Sequence, residues 1–359
     1  MGFEEKIRKV IPYVPGEQPK ETDIIKLNTN ENPYPPSPEV AKVLRAFDAD
    51  TLRLYPDPAS GVLVHAIAEQ YGLRDEEVFA GVGSDDVLAM CFMTFFNSAS
   101  PVLFPDITYS FYDVWADLLR IPYEQIPLDS DFHIVPSDYR RENGGVIFPN
   151  PNAPTGSLMP MEHIREIVEA NPDSVVIIDE AYIDFGGESA LPLIREYPNV
   201  VVVQTFSKSR SAAGLRIGYA FADPALIRYL NDVKYSFNSY TLNRLTIEAG
   251  AACIRDDAYF RNSCSRIIET RGRTVKALRE LGFTVQDSAA NFVFASHPAV
   301  IGKLLFEYLK SRKIYVRWWD KPRIRNYLRI TIGTDEQMDV LIAALKDYLE
   351  PQANMPRMQ

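Results

Sequence analysis

The sequence predicts an α/β fold in which helices flank a mostly parallel sheet, followed by a smaller α+β domain. Between residues 78 and 221, short apolar runs alternate with helical patterns, which is typical of a parallel sheet covered on both faces. One run, VVVV at 200–203, is too short to span a membrane and too β-branched to favour a helix, so it predicts a doubly buried strand. After residue 251 the pattern changes to a long helix and short strands, which indicates a second domain.

Length, charge and cysteine content narrow the class of protein. A chain of 359 residues is long enough for about two domains. Its net charge of -10, without a run of Lys and Arg, argues against a nucleic-acid surface. Three cysteines without CxxC spacing argue against a disulfide framework and fit a reducing cytoplasm. Four scattered histidines argue against a metal site. We find neither a secretory signal nor an apolar run long enough for a membrane span, so we expect a cytoplasmic protein.

The first 36 residues lack periodicity and end in NTNENPYPPSP, which cannot lie inside a helix. We predict an arm, residues 1–36, that lies across the small domain or a partner subunit. Ser37 and Pro38 then provide an N-cap and a first-turn proline for a helix. Gly61 begins a second short helix, which stops at Gly72.

The large domain is predicted to cover residues 37–250. Its helices are expected after the GSDD motif and at 110–119 and 161–170, and its strands at 78–82, 102–104, 146–148, 175–178, 200–203 and 217–221. The small domain is predicted to cover 251–359. Its elements are expected to be helices at 259–281 and 300–312, strands at 283–285, 291–294, 314–319 and 327–333, and a closing helix that Thr334 and Gln337 begin as a capping box.

Lys208 is the central candidate for chemistry. It follows the 200–203 strand, and ligands of open α/β sheets bind outside the carboxyl ends of strands. Ser207 precedes it and Arg216 lies further on in TFSKSRSAAGLRIGY. An amine, a hydroxyl and a guanidinium together suit an anionic ligand that carries an aldehyde, such as pyridoxal phosphate. The alternative is a surface lysine in a serine-rich loop. The residues at the other strand ends decide between these two interpretations.

Two further motifs follow predicted strands. In SVVIIDEAYIDF, Asp179 could pair with a pyridinium nitrogen and Tyr182 could reach the phenolic oxygen of the same ring, although an ordinary acidic loop is the alternative. In GVGSDD, Ser84 and Asp85 open a helix whose free backbone N–H groups suit a phosphate, although the same residues also make an ordinary N-cap.

Two more motifs offer contacts to a flat ring. In NPNAPTG, the carboxamide of Asn152 could donate to the ring oxygen. In PDITYSFY, Tyr109 could stack on a flat cofactor, although an aromatic residue of the core or surface is the alternative.

Taken together and in this order, GSDD, PDITYSFY, NPNAPTG, DEAY and TFSKSRSAAGLRIGY resemble the motifs of the fold-type-I aminotransferases. With LNTNENPYP, YPDP and YLRITIGT the chain is similar, over nearly its whole length, to the histidinol-phosphate aminotransferases. This resemblance implies a homodimeric, pyridoxal-phosphate-dependent transaminase. It would exchange an amino group between histidinol phosphate and 2-oxoglutarate or glutamate in histidine biosynthesis.

The resemblance also implies a role for each residue around the cofactor. Lys208 would bond to the aldehyde and later carry the proton, Asp179 would hold the pyridinium, and Tyr182 the phenolate. Tyr109 would stack on the ring, and the phosphate would be surrounded by Ser84, Asp85, Ser207 and Arg216. The family has asparagine directly before PTG, whereas this chain has Ala153, so the ring-oxygen contact falls to Asn152 or is lost.

Arg329 lies in the apolar strand YLRITIG, where an unpaired guanidinium is costly, so it needs an anionic partner. A buried ion pair is one possibility. The resemblance implies the other, in which Arg329 binds the phosphate of histidinol phosphate and a carboxylate of glutamate. Arg317 could supply a second donor or lie exposed. Tyr13 matches a tyrosine that touches the substrate, with Asn30 near it.

Tyr55 in RLYPDP matches a family tyrosine that reaches the cofactor phosphate of the neighbouring subunit, which implies a two-fold dimer with shared active sites. Alternatively, Tyr55 anchors its own loop.

Aromatic amino acid aminotransferases and threonine-phosphate decarboxylase resemble this family closely, so both remain alternatives. A third alternative is a regulator that binds the cofactor without turnover. The sequence argues against it because it shows neither a basic face nor an added DNA-binding segment.

Overall fold

The computed structural model describes residues 2–353. Its strands are β1 (Ile25–Lys26), β2 (Val78–Gly81), β3 (Val102–Pro105), β4 (Tyr123–Ile126), β5 (Gly145–Pro149), β6 (Val176–Asp179), β7 (Val200–Thr205), β8 (Gly218–Ala222), β9 (Thr284–Val285), β10 (Phe292–Ser296), β11 (Ile314–Tyr315) and β12 (Tyr327–Thr331). Its α-helices are α1 (Pro38–Ala46), α2 (Gly61–Tyr71), α3 (Gly83–Phe95), α4 (Tyr112–Leu119), α5 (Met161–Ala170), α6 (Pro224–Phe237), α7 (Arg244–Arg255), α8 (Asp257–Glu280), α9 (Gly302–Ser311) and α10 (Asp335–Ala353).

The main sheet has seven strands in the order β2-β8-β7-β6-β5-β3-β4. From β4 to β7 every pair is parallel, as the alternating pattern predicted, while β8 runs antiparallel to both β7 and β2. The strand β4 was not predicted. Its residues, YEQI, are largely exposed at the sheet edge and lack the apolar run that identified the buried strands.

Both faces of this sheet are buried. Successive side chains of a strand point to opposite sides, so one strand contributes to the cores on both faces. In β7, Val200 and Val202 pack into one apolar core, and Val201 and Val203 into another. This explains why four consecutive valines form a strand here. The register then sets Asp179, the last residue of β6, beside Val203.

Local signals placed several helix ends correctly. The Ser37 hydroxyl accepts a hydrogen bond from the Glu39 N–H and caps α1. Gly72 ends α2 in the left-handed conformation with φ of +65°. At the start of α10, Thr334 and Gln337 exchange hydrogen bonds between side chain and backbone, as a capping box requires.

A second core lies around the antiparallel sheet β12-β10-β9. The strand β1, from the first 36 residues, pairs in parallel with β11. The predicted boundary at 250/251 falls inside α7, and the division into an arm, a large domain and a small domain remains a prediction. Within residues 2–353 no helix has the length and apolar character that a bilayer span requires.

Candidate active site

Two adjoining cavities lie where strands of the main sheet end and the N-terminus of α3 begins. The inner cavity, about 170 Å³, is lined by the predicted residues Ser84, Asp85, Tyr109, Asp179, Tyr182, Ser207, Lys208 and Arg216. The outer cavity, about 320 Å³, adds Tyr13, Asn30, Arg317 and Arg329. The cavities share Lys208, Tyr182 and Tyr109, so the fold brings these residues together although they are scattered along the sequence.

Lys208 follows β7 in a loop that is anchored from the N-terminal segment. Its Nζ donates a hydrogen bond to the backbone oxygen of Thr29 at 3.1 Å and lies 5.7 Å from the centre of the Tyr182 ring. The side chain of Asn32 donates to the backbone oxygens of Lys208 and Ser209, both at 3.2 Å. The Lys208 side chain therefore lines the cavity, and hydrogen bonds from Asn32 fix its backbone. A lysine exposed on the surface would not need such fixed backbone contacts.

Asp179 is buried at the carboxyl end of β6, with 4% of its surface exposed. One carboxylate oxygen accepts from the Tyr112 hydroxyl at 2.8 Å and the other from the Ala181 N–H at 3.2 Å. Burial raises the pKa of Asp179 to about 6, and these two hydrogen bonds oppose the rise. A buried carboxylate of this kind is stabilised by a cation, so the site suits a protonated ring nitrogen.

The N-terminus of α3 and Arg216 form a cradle for an anion. The first backbone N–H groups of a helix lack intrahelical acceptors, and Ser84 and Asp85 occupy this turn. Gly83 allows the close approach of Arg216, since a Cβ at Gly83 would lie 2.5 Å from Nη2 of the guanidinium. Ser207 lines the same cavity. Backbone N–H groups, a guanidinium and hydroxyls are the donors that bind phosphate.

Asp85 lies in this cradle but is itself an anion. Its two oxygens accept from the Tyr109 hydroxyl at 2.6 Å and from Arg216 Nη2 at 3.4 Å. Asp85 therefore orients Tyr109 and Arg216. Burial raises the pKa of Tyr109 well above its ordinary value, so its hydroxyl stays a donor to Asp85 while its ring lines the cavity.

Asn30 is tied to Tyr182. Its side-chain amide donates to the Tyr182 hydroxyl at 2.9 Å, and its own oxygen accepts from Thr331 of β12 at 3.0 Å. Because the Tyr182 oxygen already accepts this bond, its proton is available for an acceptor in the cavity. Asn30 lines the outer cavity, but the structure makes it a support for Tyr182.

Arg329 lies between the rings of Phe292 and Trp319, each 5.3 Å from its guanidinium carbon. Its Nη2 donates to the Asn28 backbone oxygen at 2.8 Å, while its Nε is buried without a hydrogen-bond partner among residues 2–353. The titratable groups that act on it are tyrosines and Arg317, and among residues 2–353 no carboxylate forms a salt bridge with it, which speaks against the alternative ion pair. Burial without an anion lowers the pKa of Arg329.

Arg317 and Tyr13 complete the outer cavity. Arg317 exchanges backbone hydrogen bonds with Arg329 at 3.0 and 2.9 Å, and its guanidinium stacks on Trp319 at 5.3 Å. The Tyr13 ring stacks on Phe111, with centroids 4.1 Å apart. The outer cavity thus combines two neighbouring guanidinium groups with flat aromatic walls.

Two predicted site residues, Asn152 and Tyr55, line neither cavity. The side-chain amide of Asn152 donates to the Ile107 oxygen and to the Thr155 hydroxyl, both at 3.0 Å, so both of its N–H groups already have protein acceptors. Ala153, not Asn152, lines the inner cavity. Tyr55 is 78% exposed and stacks on Tyr240, outside the cavities.

Several residues that support the site were not predicted from the sequence. Tyr112 holds Asp179, Asn32 holds the Lys208 backbone, and Thr29 accepts from the Lys208 amine. Tyr112 belongs to the PDITYSFY motif that drew attention to Tyr109, but nothing in that string distinguishes its two neighbouring tyrosines. Asn32 and Thr29 lie in NTNEN, whose polar character was the available signal.

Known proteins similar to this chain identify its family. Residues 22–345 match the family model "Aminotransferase class I and II". The chain is 53% identical to histidinol-phosphate aminotransferase 1 of Hydrogenovibrio crunogenus and 52% identical to histidinol-phosphate aminotransferase of Lactococcus lactis subsp. cremoris, each over 98% of both chains.

A solved structure shows the same fold. Histidinol-phosphate aminotransferase from Sinorhizobium meliloti in complex with pyridoxal-5'-phosphate superposes with a TM-score of 0.83 at 25% identity, and the match covers 91% of each chain. The resemblance found in the sequence motifs is therefore confirmed, and the chain belongs to the class I and II aminotransferase family.

Proposed function

We propose that this protein is a pyridoxal-phosphate-dependent aminotransferase that transfers the amino group of L-histidinol phosphate to 2-oxoglutarate, a step of histidine biosynthesis. The observation that carries this proposal is the position of Lys208, whose amine lies in a cavity shared by the buried Asp179 and, on the outer side, Arg329 and Arg317. The relatives that are 53% and 52% identical to this chain are named histidinol-phosphate aminotransferases.

The inner cavity fits pyridoxal phosphate by the chemistry of its donors. The buried carboxylate of Asp179 suits the ring nitrogen, the Tyr182 hydroxyl suits the phenolic oxygen, and the cradle of Arg216, Ser207 and the α3 N-terminus suits the phosphate. Lys208 supplies the amine that holds the aldehyde. When bound, the cofactor provides a ring that draws electrons from the carbon next to the reacting nitrogen.

Each protein group has a defined task around that ring. Lys208 Nζ would take the proton from the amino-bearing carbon of the substrate and deliver it to the carbon that carried the aldehyde of the cofactor. The charge of Asp179 would keep the ring nitrogen protonated, which would maintain the electron-withdrawing power of the ring. The Tyr182 hydroxyl, whose oxygen accepts a hydrogen bond from Asn30, would donate to the phenolic oxygen.

The outer cavity accounts for the substrate. Arg329 has an unsatisfied, buried Nε and lies beside Arg317, so an anion entering there gains charge-assisted hydrogen bonds. The phosphate of histidinol phosphate and a carboxylate of glutamate both meet this requirement. The aromatic walls formed by Tyr13, Phe111 and Trp319 suit a flat imidazole ring.

A homodimer with shared active sites belongs to the proposal. Tyr55 is exposed and lies next to the exposed apolar residues Leu52 and Leu54, a surface that a second copy would cover. Tyr55 lies apart from its own cavity, which supports a role at the partner's phosphate site. A cytoplasmic location is also proposed, and the three free, buried cysteines fit a reducing compartment.

A substrate panel tests the proposal. The protein loaded with pyridoxal phosphate is assayed with 2-oxoglutarate as acceptor and histidinol phosphate, phenylalanine, tyrosine or threonine phosphate as donor. We expect kcat/KM to be highest for histidinol phosphate. A preference for phenylalanine or tyrosine would identify an aromatic aminotransferase, and carbon dioxide release from threonine phosphate without a keto acid would identify a decarboxylase.

A further inference from the structure

The Tyr112 hydroxyl is buried directly against Asp179. It donates to one carboxylate oxygen at 2.8 Å, and Tyr112 has no exposed surface. Tyr112 begins α4, and its N–H bonds to the Tyr109 backbone oxygen at 3.3 Å. It lines neither cavity, so it acts on the site through Asp179.

Aromatic neighbours fix the position of this hydroxyl. The Tyr112 ring packs against Tyr109, Phe104, Phe92 and Trp115, with centroid distances of 5.7, 5.8, 6.3 and 6.3 Å. A ring enclosed in this way cannot turn its hydroxyl elsewhere without repacking the core. The second Asp179 oxygen is held by the Ala181 N–H, so both oxygens are anchored.

Burial and hydrogen bonding act on Asp179 in opposite directions. Desolvation favours its neutral form, whereas the Tyr112 and Ala181 donors favour its carboxylate. The other titratable groups that act on Asp179 are Asp85, which also favours the neutral form, and Lys208, which favours the charged form. The buried Cys91 thiol feels the same carboxylate, and burial raises the pKa of that thiol.

Tyr112 itself remains a donor across the working pH range. Burial and the neighbouring Asp179 charge raise the pKa of Tyr112 well above its ordinary value. A fixed O–H donor that is never lost by ionisation is suited to stabilising a carboxylate where the surroundings oppose the charge.

We propose that Tyr112 is a positioning residue that keeps Asp179 ionised and oriented for the ring nitrogen of pyridoxal phosphate. This inference rests on the proposed function, because it assigns Asp179 to that nitrogen. Its consequence is that cofactor affinity, and not merely turnover, depends on the Tyr112 hydroxyl, most strongly under mildly acidic conditions where Asp179 is closest to protonation.

The test compares two tyrosine-to-phenylalanine variants. Tyr112→Phe removes the donor to Asp179, while Tyr139→Phe removes a buried hydroxyl that has no hydrogen-bond partner within the described chain. Wild type and both variants are stripped of cofactor and titrated with pyridoxal phosphate by absorbance, at a series of pH values from about 5.5 to about 8.5.

We expect Tyr112→Phe to weaken cofactor binding by about 10- to 150-fold, the range for a hydrogen bond to a charged group. Without this donor, Asp179 protonates more readily. The affinity of Tyr112→Phe for pyridoxal phosphate should therefore begin to fall at a higher pH than that of wild type. Tyr139→Phe should match wild type throughout. If Tyr112→Phe and Tyr139→Phe bind the cofactor alike at every pH, the inference is wrong.

A second measurement covers the case in which Tyr112→Phe does not fold. Replacing Tyr112 with 3-fluorotyrosine keeps the ring and strengthens the O–H donor, so the fall in affinity should move to lower pH. No shift, or a shift to higher pH, would overturn the inference. Wild-type protein that fails to bind pyridoxal phosphate would instead overturn the proposed function, and this inference with it.

Discussion

Gly83 is the residue whose replacement most directly tests the anion cradle. It is the first residue of α3 and has φ of +83°, which L-residues avoid. A Cβ added there would lie 2.5 Å from Nη2 and 3.0 Å from the guanidinium carbon of Arg216. Gly83→Ala therefore combines a strained backbone with displacement of Arg216.

The two effects have different magnitudes and different readouts. A left-handed backbone costs a non-glycine residue about 1–2 kcal/mol of folding free energy. Displacing Arg216 removes hydrogen bonds to a charged phosphate, each contributing about 1.5–3 kcal/mol. That loss corresponds to about 10- to 150-fold weaker binding of pyridoxal phosphate.

Gly72→Ala is the matched control. Gly72 ends α2 with φ of +65°, and a Cβ there would meet no atom within 4 Å. Urea unfolding of the cofactor-free proteins should show a similar loss of stability in both variants. Absorbance titration with pyridoxal phosphate should show weaker binding in Gly83→Ala alone. Equal cofactor affinity in the two variants would refute the assignment of Arg216 and Gly83 to the phosphate.

Three further predictions concern the substrate, pH and assembly. Arg329→Lys keeps the charge but loses the planar fork, so KM for histidinol phosphate should rise about 10- to 100-fold with a smaller change in kcat, and steady-state kinetics showing the reverse would contradict the assignment. Burial raises the pKa of Glu180 from 4.5 to about 7, so the folded protein keeps a proton that the unfolded chain releases, and the free energy of unfolding should fall as pH rises through this interval. Glu180→Gln should reduce this fall in the free energy of unfolding by at most about 3 kcal/mol. If urea unfolding gives the same pH dependence in wild type and variant, Glu180 is not its source. Finally, Lys208→Ala and Tyr55→Ala subunits, unfolded and refolded together, should regain about one quarter of wild-type activity, because a mixed two-fold dimer has one intact site. A mixture no more active than its separate parents would exclude a shared site.

Much of the fold followed from local patterns. The run Val200–Thr205 needed only its β-branched composition to be identified as a strand, and Ser37 and Gly72 marked helix ends by their local chemistry. The edge strand Tyr123–Ile126 was missed because half of its residues face solvent, so it carries no apolar signal. Its place is set by pairing with Val102–Pro105, a contact that the sequence pattern does not display.

The candidate site was predictable in position but not in detail. The rule that ligands bind beyond the carboxyl ends of strands placed Lys208 and Asp179 at one sheet edge, and the structure places both at one cavity. The same rule could not decide that Ala153 would face this cavity while the Asn152 side chain bonds to other protein groups. That choice depends on hydrogen bonds to Ile107 and Thr108, more than 40 positions away.

The sequence by itself determined most of the buried strands, several helix ends, and which strand ends carry an amine, a carboxylate and phosphate donors, because these depend on the order of residues within one element. Only the tertiary structure decided which side chains support them. Tyr112 reaches Asp179 across 67 positions, and Asn30 reaches Tyr182 across 152. Hydrogen bonds of this kind form only after packing has brought distant elements together, so no local pattern announces them.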